Sequence, residues 1–271
     1  MNCSAPATYP RAPRQHGALN LMGLSVHSVT AVGVLDYIRQ VIEEGLQAPI
    51  LHVNALAANL VARHPWLGDL YGQAPLVMCD GDGIRFACRM LNLEVPPKVT
   101  YSRWLPLLAE HCRRHDFSVY LLGSRPGIAQ LAARRFEENY AGLRIVGSHH
   151  GYFDKSGPEN EAVIAEINAL RPDILLVCFG MPLQEQWVRD NASGLAVHVL
   201  LTGGAAIDYA AGVAPITPNI FIRLQLEWFY RFLCDPARLF TRYALGNPEF
   251  MARVAAARMK QAWSGRRNAR T

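Results

Sequence analysis

Six short runs dominated by Val, Leu and Ile punctuate the chain, at residues 50–53, 76–79, 118–122, 144–146, 174–179 and 198–201. Such runs are mostly apolar rather than alternating, as strands buried on both faces require. Between or before them, residues 31–44, 103–115, 127–139, 159–170 and 183–191 carry apolar positions at helical spacing with plausible starts and stops. Repeated strand–helix units predict an α/β fold, a Rossmann-like and mostly parallel sheet flanked by helices. Sheets of this kind bind ligands at the carboxyl ends of their strands. Small and polar residues gather at those ends: Asn54, Asp80-Gly81-Asp82-Gly83, Gly123-Ser124, Gly151-Tyr152, Gly180 and Gly203-Gly204.

Near Ala211 the pattern changes to a helical stretch dense in aromatic and basic residues. Ile222, Leu226, Phe229 and Leu233 form one apolar stripe, whereas Arg223, Glu227 and Arg231 lie four apart and are spaced to pair. Asp235-Pro236 restarts a helix and Gly246-Asn247-Pro248 is expected to break the next. The expected organisation is a flexible arm over 1–18, an α/β catalytic domain over 19–210 and a helical basic appendage over 211–271. Aromatic residues interleaved with Arg suit an interfacial helix, and a packed helical hairpin would use much the same residues.

Composition narrows this picture. The 271 residues are 51% apolar and 18% charged, a balance that favours one folded unit over extensive disorder. The six cysteines form no CxxC pair, so they read as small apolar residues of a reducing compartment. No uncharged apolar run of about 18 residues offers a spanning helix. The net charge of +5 matters mainly through its position, because eight basic residues and one acid follow Pro236. Such a block attracts polyanions without choosing among lipid, nucleic acid and phosphorylated substrate. No nucleic-acid module accompanies it.

Asp80 follows a strand and precedes two glycines, which places its carboxylate where a ligand can approach closely. It is a candidate general base, with a helix N-cap as the alternative. Asp80-Gly81-Asp82 also has the D-x-D form that holds a divalent ion against a diphosphate in many glycosyltransferases. Gly123-Ser124-Arg125-Pro126-Gly127 could present amides to phosphate. In the turn from Gly180 to Glu185, Glu185 suits the helix dipole while Gln184 is freer to touch a ligand. Gly203-Gly204 followed by Asp208 could close on the same nucleotide. His111 and His115 have HxxxH spacing without the zincin glutamate, and a structural role is expected for them. Serine hydrolase, P-loop and dinucleotide motifs are absent.

Read in order from about Leu21 to Phe250, these segments resemble the WecG/TagA/CpsF glycosyltransferases, glycosyltransferase family 26. The resemblance rests on Asn54, Cys79-Asp80-Gly81-Asp82-Gly83, Gly151-Tyr152-Phe153, Gly180-Met181-Pro182-Leu183-Gln184-Glu185-Gln186-Trp187, Gly203-Gly204-Ala205-Ala206-Ile207-Asp208, Leu226-Glu227-Trp228-Phe229-Tyr230-Arg231, Pro236-Ala237-Arg238 and Arg242-Tyr243. It implies an inverting hexosyltransferase that moves N-acetylmannosamine, N-acetylmannosaminuronic acid or glucose from UDP to an undecaprenyl-diphosphate-linked saccharide in cell-surface polysaccharide synthesis. It further implies Asp80 as base, Asn54 and Gln184 on the sugar or acceptor, and appendage arginines against the leaving diphosphate. Arg223, Arg231, Arg238 and Arg242 are the candidates. Lys98, Gly123, Ser124, Tyr152, Gly180, Gly203 and Asp208 complete the expected substrate-binding set. No metal or other cofactor is expected, since arginine supplies the positive charge. The expected partners are the UDP-sugar, the polyprenyl-diphosphate acceptor and an anionic membrane surface, with no nucleic acid and with oligomerisation left open. The expected location is peripheral, on the cytoplasmic face of the inner membrane. A metal-dependent D-x-D transferase and a non-catalytic sugar-nucleotide-binding scaffold are the alternatives. Three departures bear on donor and acceptor identity: His52 stands where many relatives have Thr, Lys98 persists in a stretch that has lost its later Gly and Asp, and the spacer between Ala214-Pro215 and Leu226 is longer than in relatives.

Overall fold

The computed structural model of the chain describes residues 17–268. The expected arm lies outside the described residues except for its end, where Ala18 already pairs with His27. A small antiparallel hairpin, β1 (Ala18–Leu21) and β2 (Leu24–His27), opens the fold. The sequence pattern missed it, because four-residue strands joined by a two-residue turn leave too few positions to show a period.

The six expected apolar runs all become strands: β3 (Ala48–Val53), β4 (Leu76–Cys79), β5 (Ser118–Gly123), β6 (Arg144–His149), β7 (Ile174–Cys178) and β8 (Val199–Thr202). They form one parallel sheet in the order β4-β3-β8-β7-β5-β6. Successive side chains enter opposite faces. In β7, Ile174 and Leu176 join one core cluster and Leu175 and Val177 another.

Helices cover both faces. The first face carries α1 (Ala31–Glu43), which follows β2, and three later helices. The connection from β3 to β4 holds α2 (Ala55–Arg63) and α3 (Pro65–Gln73), and α4 (Asp82–Met90) follows β4; all three pack on the second face. None of the three was expected from the sequence, and α4 starts inside a glycine motif that resembles a turn. Next come α5 (Tyr101–His115) and α6 (Ile128–Asn139) on the first face, then α7 (Gly157–Leu170) and α8 (Leu183–Asn191) on the second. A short α9 (Ala206–Ala210) follows β8 and returns to the first face.

The helices after the neighbouring strands β3 and β8 therefore diverge, α2 to one face and α9 to the other. A crevice opens between two such strands at their carboxyl ends.

Beyond Ala211 the chain forms α10 (Asn219–Arg223), α11 (Glu227–Cys234), α12 (Pro236–Phe240), a π turn (Thr241–Leu245) and α13 (Gly246–Asn268). Two expectations fail here. Gly246-Asn247-Pro248 does not break the helix. Proline's missing donor and ring clash are tolerated in a first turn, and the preceding π turn widens the backbone ahead of it. The three charges spaced by four do not pair, because Arg223 and Glu227 lie on different helices and Glu227 bonds Lys98 instead. The apolar stripe is also not a packed seam: Leu233 and Phe229 are exposed, and Ile222 and Leu226 only half-buried. By contrast α13 returns to the α/β body, where Phe250 and Val254 are fully buried with α2, α3 and α4. Arg253 there donates to the Ala58 carbonyl at 2.5 Å. Among the described residues no helix is long and apolar enough to cross a membrane.

Candidate active site

Asn54 ends β3 and caps α2, its side-chain oxygen accepting from the Ala57 amide at 3.1 Å. Asp80 ends β4, and its amide donates to Val53 O at 2.8 Å, so the parallel register sets the two side chains on neighbouring strands at the sheet edge. Gly81 follows at φ 121°, a conformation that other residues rarely adopt, and turns the chain into α4. Asp80 thus stands free at the crevice mouth rather than serving as a helix cap.

Two cavities meet at this carboxylate. The larger, about 900 Å³, lies over the ends of β3, β5, β7 and β8. Ser124, Tyr152, Gly180, Gly203, Gly204 and Asp208 line it, and Arg231, Arg238 and Arg242 close it from the C-terminal helices. The smaller, about 390 Å³, is walled by apolar groups, Phe86, Trp228, Tyr243, Phe250 and Met251 among them. Asn54, Asp80, Thr100, Arg231 and Arg242 border both.

The glycine loops are held from beneath. Gln184 is fully buried, and its Oε1 accepts from the amides of Gly180 at 3.2 Å and Gly204 at 3.0 Å. Its Nε2 donates to Glu185 Oε1 at 2.8 Å. Gln184 therefore does not reach the cavity; it ties together two loops that do. Glu185, expected to favour the helix dipole, is likewise fully buried, and desolvation pushes its carboxyl up to about 7.

Two further expected ligands have structural duties. Lys98 Nζ donates to Asp82 Oδ2 at 2.9 Å and to Glu227, joining α4 to α11, and it lines neither cavity. These hydrogen bonds, with the carboxylates' attraction, outweigh its burial and raise its pKa. Gly123 also stays outside both; any side chain there would collide with the Cys178 backbone, since neighbouring strands approach closely at φ 147°. Its neighbour Ser124 takes the loop role, with φ 60° and its hydroxyl donating to Asp208. Backbone held in the left-handed region by a non-glycine residue is typical of ligand loops.

Arg231 carries the strongest electrostatic signature. Its guanidinium lies over the Tyr209 ring, 5.5 Å from the centroid, and its Nε is buried without a partner among the described residues. Asp80 is among the groups that favour its charged form. Arg238 is exposed and bonded to Asp235 at 2.5 Å, while Arg223 lines neither cavity. Sequence reasoning did not single out Thr100 or Tyr101 as site residues; both are buried, with hydroxyls lacking partners among the described residues. It also missed Lys155, which lies over the Phe153 ring at 3.7 Å.

An α/β enzyme whose binding crevice lies where helices diverge from adjacent parallel strands, closed by cationic helices, is the class these features define. Within that class, the chain belongs to the Glycosyl transferase WecG/TagA/CpsF family, whose profile matches residues 19–264. It is a glycosyltransferase. Among its relatives are the N-acetylglucosaminyldiphosphoundecaprenol N-acetyl-beta-D-mannosaminyltransferases of Staphylococcus aureus strains MRSA252 and NCTC 8325 / PS 47. Each is 26% identical over 211 residues, covering 78% of this chain and 81% of the relative.

Proposed function

We propose that the protein transfers a hexose-type sugar from a UDP-sugar to a saccharide linked to undecaprenyl diphosphate, with inversion at the anomeric carbon. The donor sugar is of the N-acetylmannosamine, N-acetylmannosaminuronic acid or glucose class, and the Staphylococcus aureus relatives' name supports the first. One observation carries the reading: a single carboxylate, Asp80, borders both a wide polar cavity and a smaller apolar one. The wide cavity, with its amide loops and arginines, suits the nucleotide diphosphate. The apolar one suits the first units of a lipid-linked acceptor.

In this scheme the acceptor hydroxyl attacks the anomeric carbon as its proton passes to the Asp80 carboxylate. The bond to UDP breaks, and Arg231 and Arg242 neutralise the charge gathering on the departing diphosphate, with Arg238 at the rim. Asp80→Asn is expected to leave UDP affinity within about twofold and to lower turnover by roughly 10²–10⁴, the usual worth of a general base. The assay is mass-spectrometric detection of product from a short-chain polyprenyl-diphosphate saccharide. Turnover at the wild-type rate would remove Asp80 from the mechanism.

A metal-dependent D-x-D reading fits less well, because the Asp82 carboxylate faces Lys98 at 2.9 Å and Arg85 at 3.6 Å. Two cations at that carboxylate oppose a divalent ion. Activity is expected to survive excess EDTA, and strict dependence on added Mn²⁺ or Mg²⁺ would reverse this choice. The segment of α10 to α12, with exposed apolar and basic side chains, is proposed to hold the enzyme peripherally at the cytoplasmic face of an anionic membrane.

A further inference from the structure

His52 belongs to the larger cavity but has no part in the scheme above. It lies in β3, two residues before Asn54 and on the same side of the strand, and only 3% of its surface is exposed. Two contacts fix its ring and a third its backbone. Nδ1 lies 2.6 Å from the Thr202 carbonyl of β8, an oxygen that can only accept, so Nδ1 carries the proton. The edge of Tyr101 from α5 meets the imidazole with ring centroids 5.5 Å apart. Tyr71 donates to the His52 carbonyl at 2.8 Å and anchors the backbone beneath.

With Nδ1 bearing hydrogen, the neutral ring must offer a lone pair at Nε2. That atom has no hydrogen-bond partner among the described residues. It is also not among the polar atoms sealed from solvent without one, so it faces the cavity. Open space beside Gly204, a residue of the cavity wall, looks directly onto it: a methyl placed on Gly204 would meet Nε2 at 3.9 Å and Cε1 at 4.0 Å, and no other atom closer.

Resting on the nucleotide-sugar reading above, we infer that His52 is a specificity-determining residue whose Nε2 accepts a hydrogen bond from an O–H or N–H of the sugar being transferred. Burial holds the imidazole below its ordinary pKa; Asp80 and the Thr202 carbonyl oppose this and Arg242 reinforces it. The ring is accordingly neutral near pH 7 and keeps its acceptor. A lone pair buried at one wall of a polar cavity selects a ligand that carries hydrogen at that point and penalises one that does not.

The test is isothermal titration of the full chain with UDP and with the tightest-binding of UDP-glucose, UDP-N-acetylglucosamine and UDP-N-acetylmannosamine. His52→Asn keeps a donor to Thr202, since the amide nitrogen overlays Nδ1, but removes the far acceptor. It is expected to bind UDP as the wild type does and the sugar nucleotide about tenfold more weakly. His52→Gln, which can place an amide oxygen near the Nε2 position, is expected to recover part of that loss. Lowering the pH is expected to erode the sugar-nucleotide preference of the wild type and to leave that of His52→Asn unchanged. Equal weakening toward UDP and the sugar nucleotide in both variants would reduce His52 to a structural role, and unchanged affinity in His52→Asn would overturn the inference outright. Wild-type protein that binds neither UDP nor any UDP-sugar would sink the nucleotide-sugar reading itself, and the role of His52 with it.

Discussion

Glu185 shows how one residue can look conventional in sequence and act differently in the fold. At the start of α8 an acid normally faces solvent and favours the helix dipole. Here it lies fully buried, orienting the Gln184 amide that ties the Gly180 and Gly204 loops together. Its second oxygen has no hydrogen-bond partner among the described residues, and desolvation lifts the carboxyl from 4.5 to about 7. Between those values the folded protein keeps a proton that the unfolded chain has released, so this contribution to stability is complete at pH 4 and lost as pH rises through about 7. The whole effect is on the order of 3 kcal/mol. Glu185→Gln retains an acceptor for Gln184 and cannot ionise. Urea denaturation at pH 5 and pH 8 is expected to show the wild type losing more stability than the variant across that interval; parallel losses would mean that Glu185 is not protonated in the fold.

At the scale of elements, the connection between α4 and α11 depends on an ionic triad. Lys98 bonds Asp82 and Glu227, and all three side chains are no more than 15% exposed. Removing one partner from such a group leaves uncompensated charge in a poorly solvated place. Lys98→Met sets two carboxylates against each other and is expected to cost roughly 3 kcal/mol in urea denaturation. Adding Glu227→Gln to that variant should return part of the loss, and a Lys98→Met protein as stable as wild type would show that α11 docks by other means. Because α11 carries Arg231 into both cavities, looser docking is also expected to raise KM for the donor. The family resemblance implies a substrate-binding role for Lys98 because a basic residue persists at that position. Its partner Glu227 is 129 positions away, and no local pattern reveals such a pair.

On the scale of the whole molecule, the C-terminal helices divide into two behaviours. α13 buries Phe250 and Val254 in the body, each aromatic or aliphatic side chain of that size contributing about 1.5–3 kcal/mol. The stretch before it leaves Ile216, Ile220, Leu224, Leu233, Phe240 and Leu245 more than half exposed, on the same part of the chain as Arg238 and Arg242. The proposed membrane contact would cover these exposed apolar groups, and the adjacent cations favour an anionic surface for it. Co-sedimentation with vesicles of anionic phospholipid is therefore expected, weakening as salt is raised. Ile220→Glu with Leu224→Glu should reduce vesicle binding several-fold without lowering Tm, because neither side chain supports the core. Undiminished binding would move the membrane contact elsewhere.

From the sequence alone the parallel sheet was legible, together with the strand ends at which the crevice opens. Runs dominated by Val, Leu and Ile are most stable between two layers, and the glycines and Asp80 at their ends lie where the crevice opens. Which polar groups line that crevice was settled by contacts far apart in the chain. Asn54, Asp80, Ser124, Asp208, Arg231 and Arg242 come together there, while Lys98, Gly123 and Gln184 are used to hold the walls, and His52 enters from a strand position that its neighbours make look like core. The reason is physical. Strand burial depends on residues adjacent in the chain, whereas the partner that occupies a lysine, or leaves a histidine nitrogen free, arrives from more than a hundred residues away.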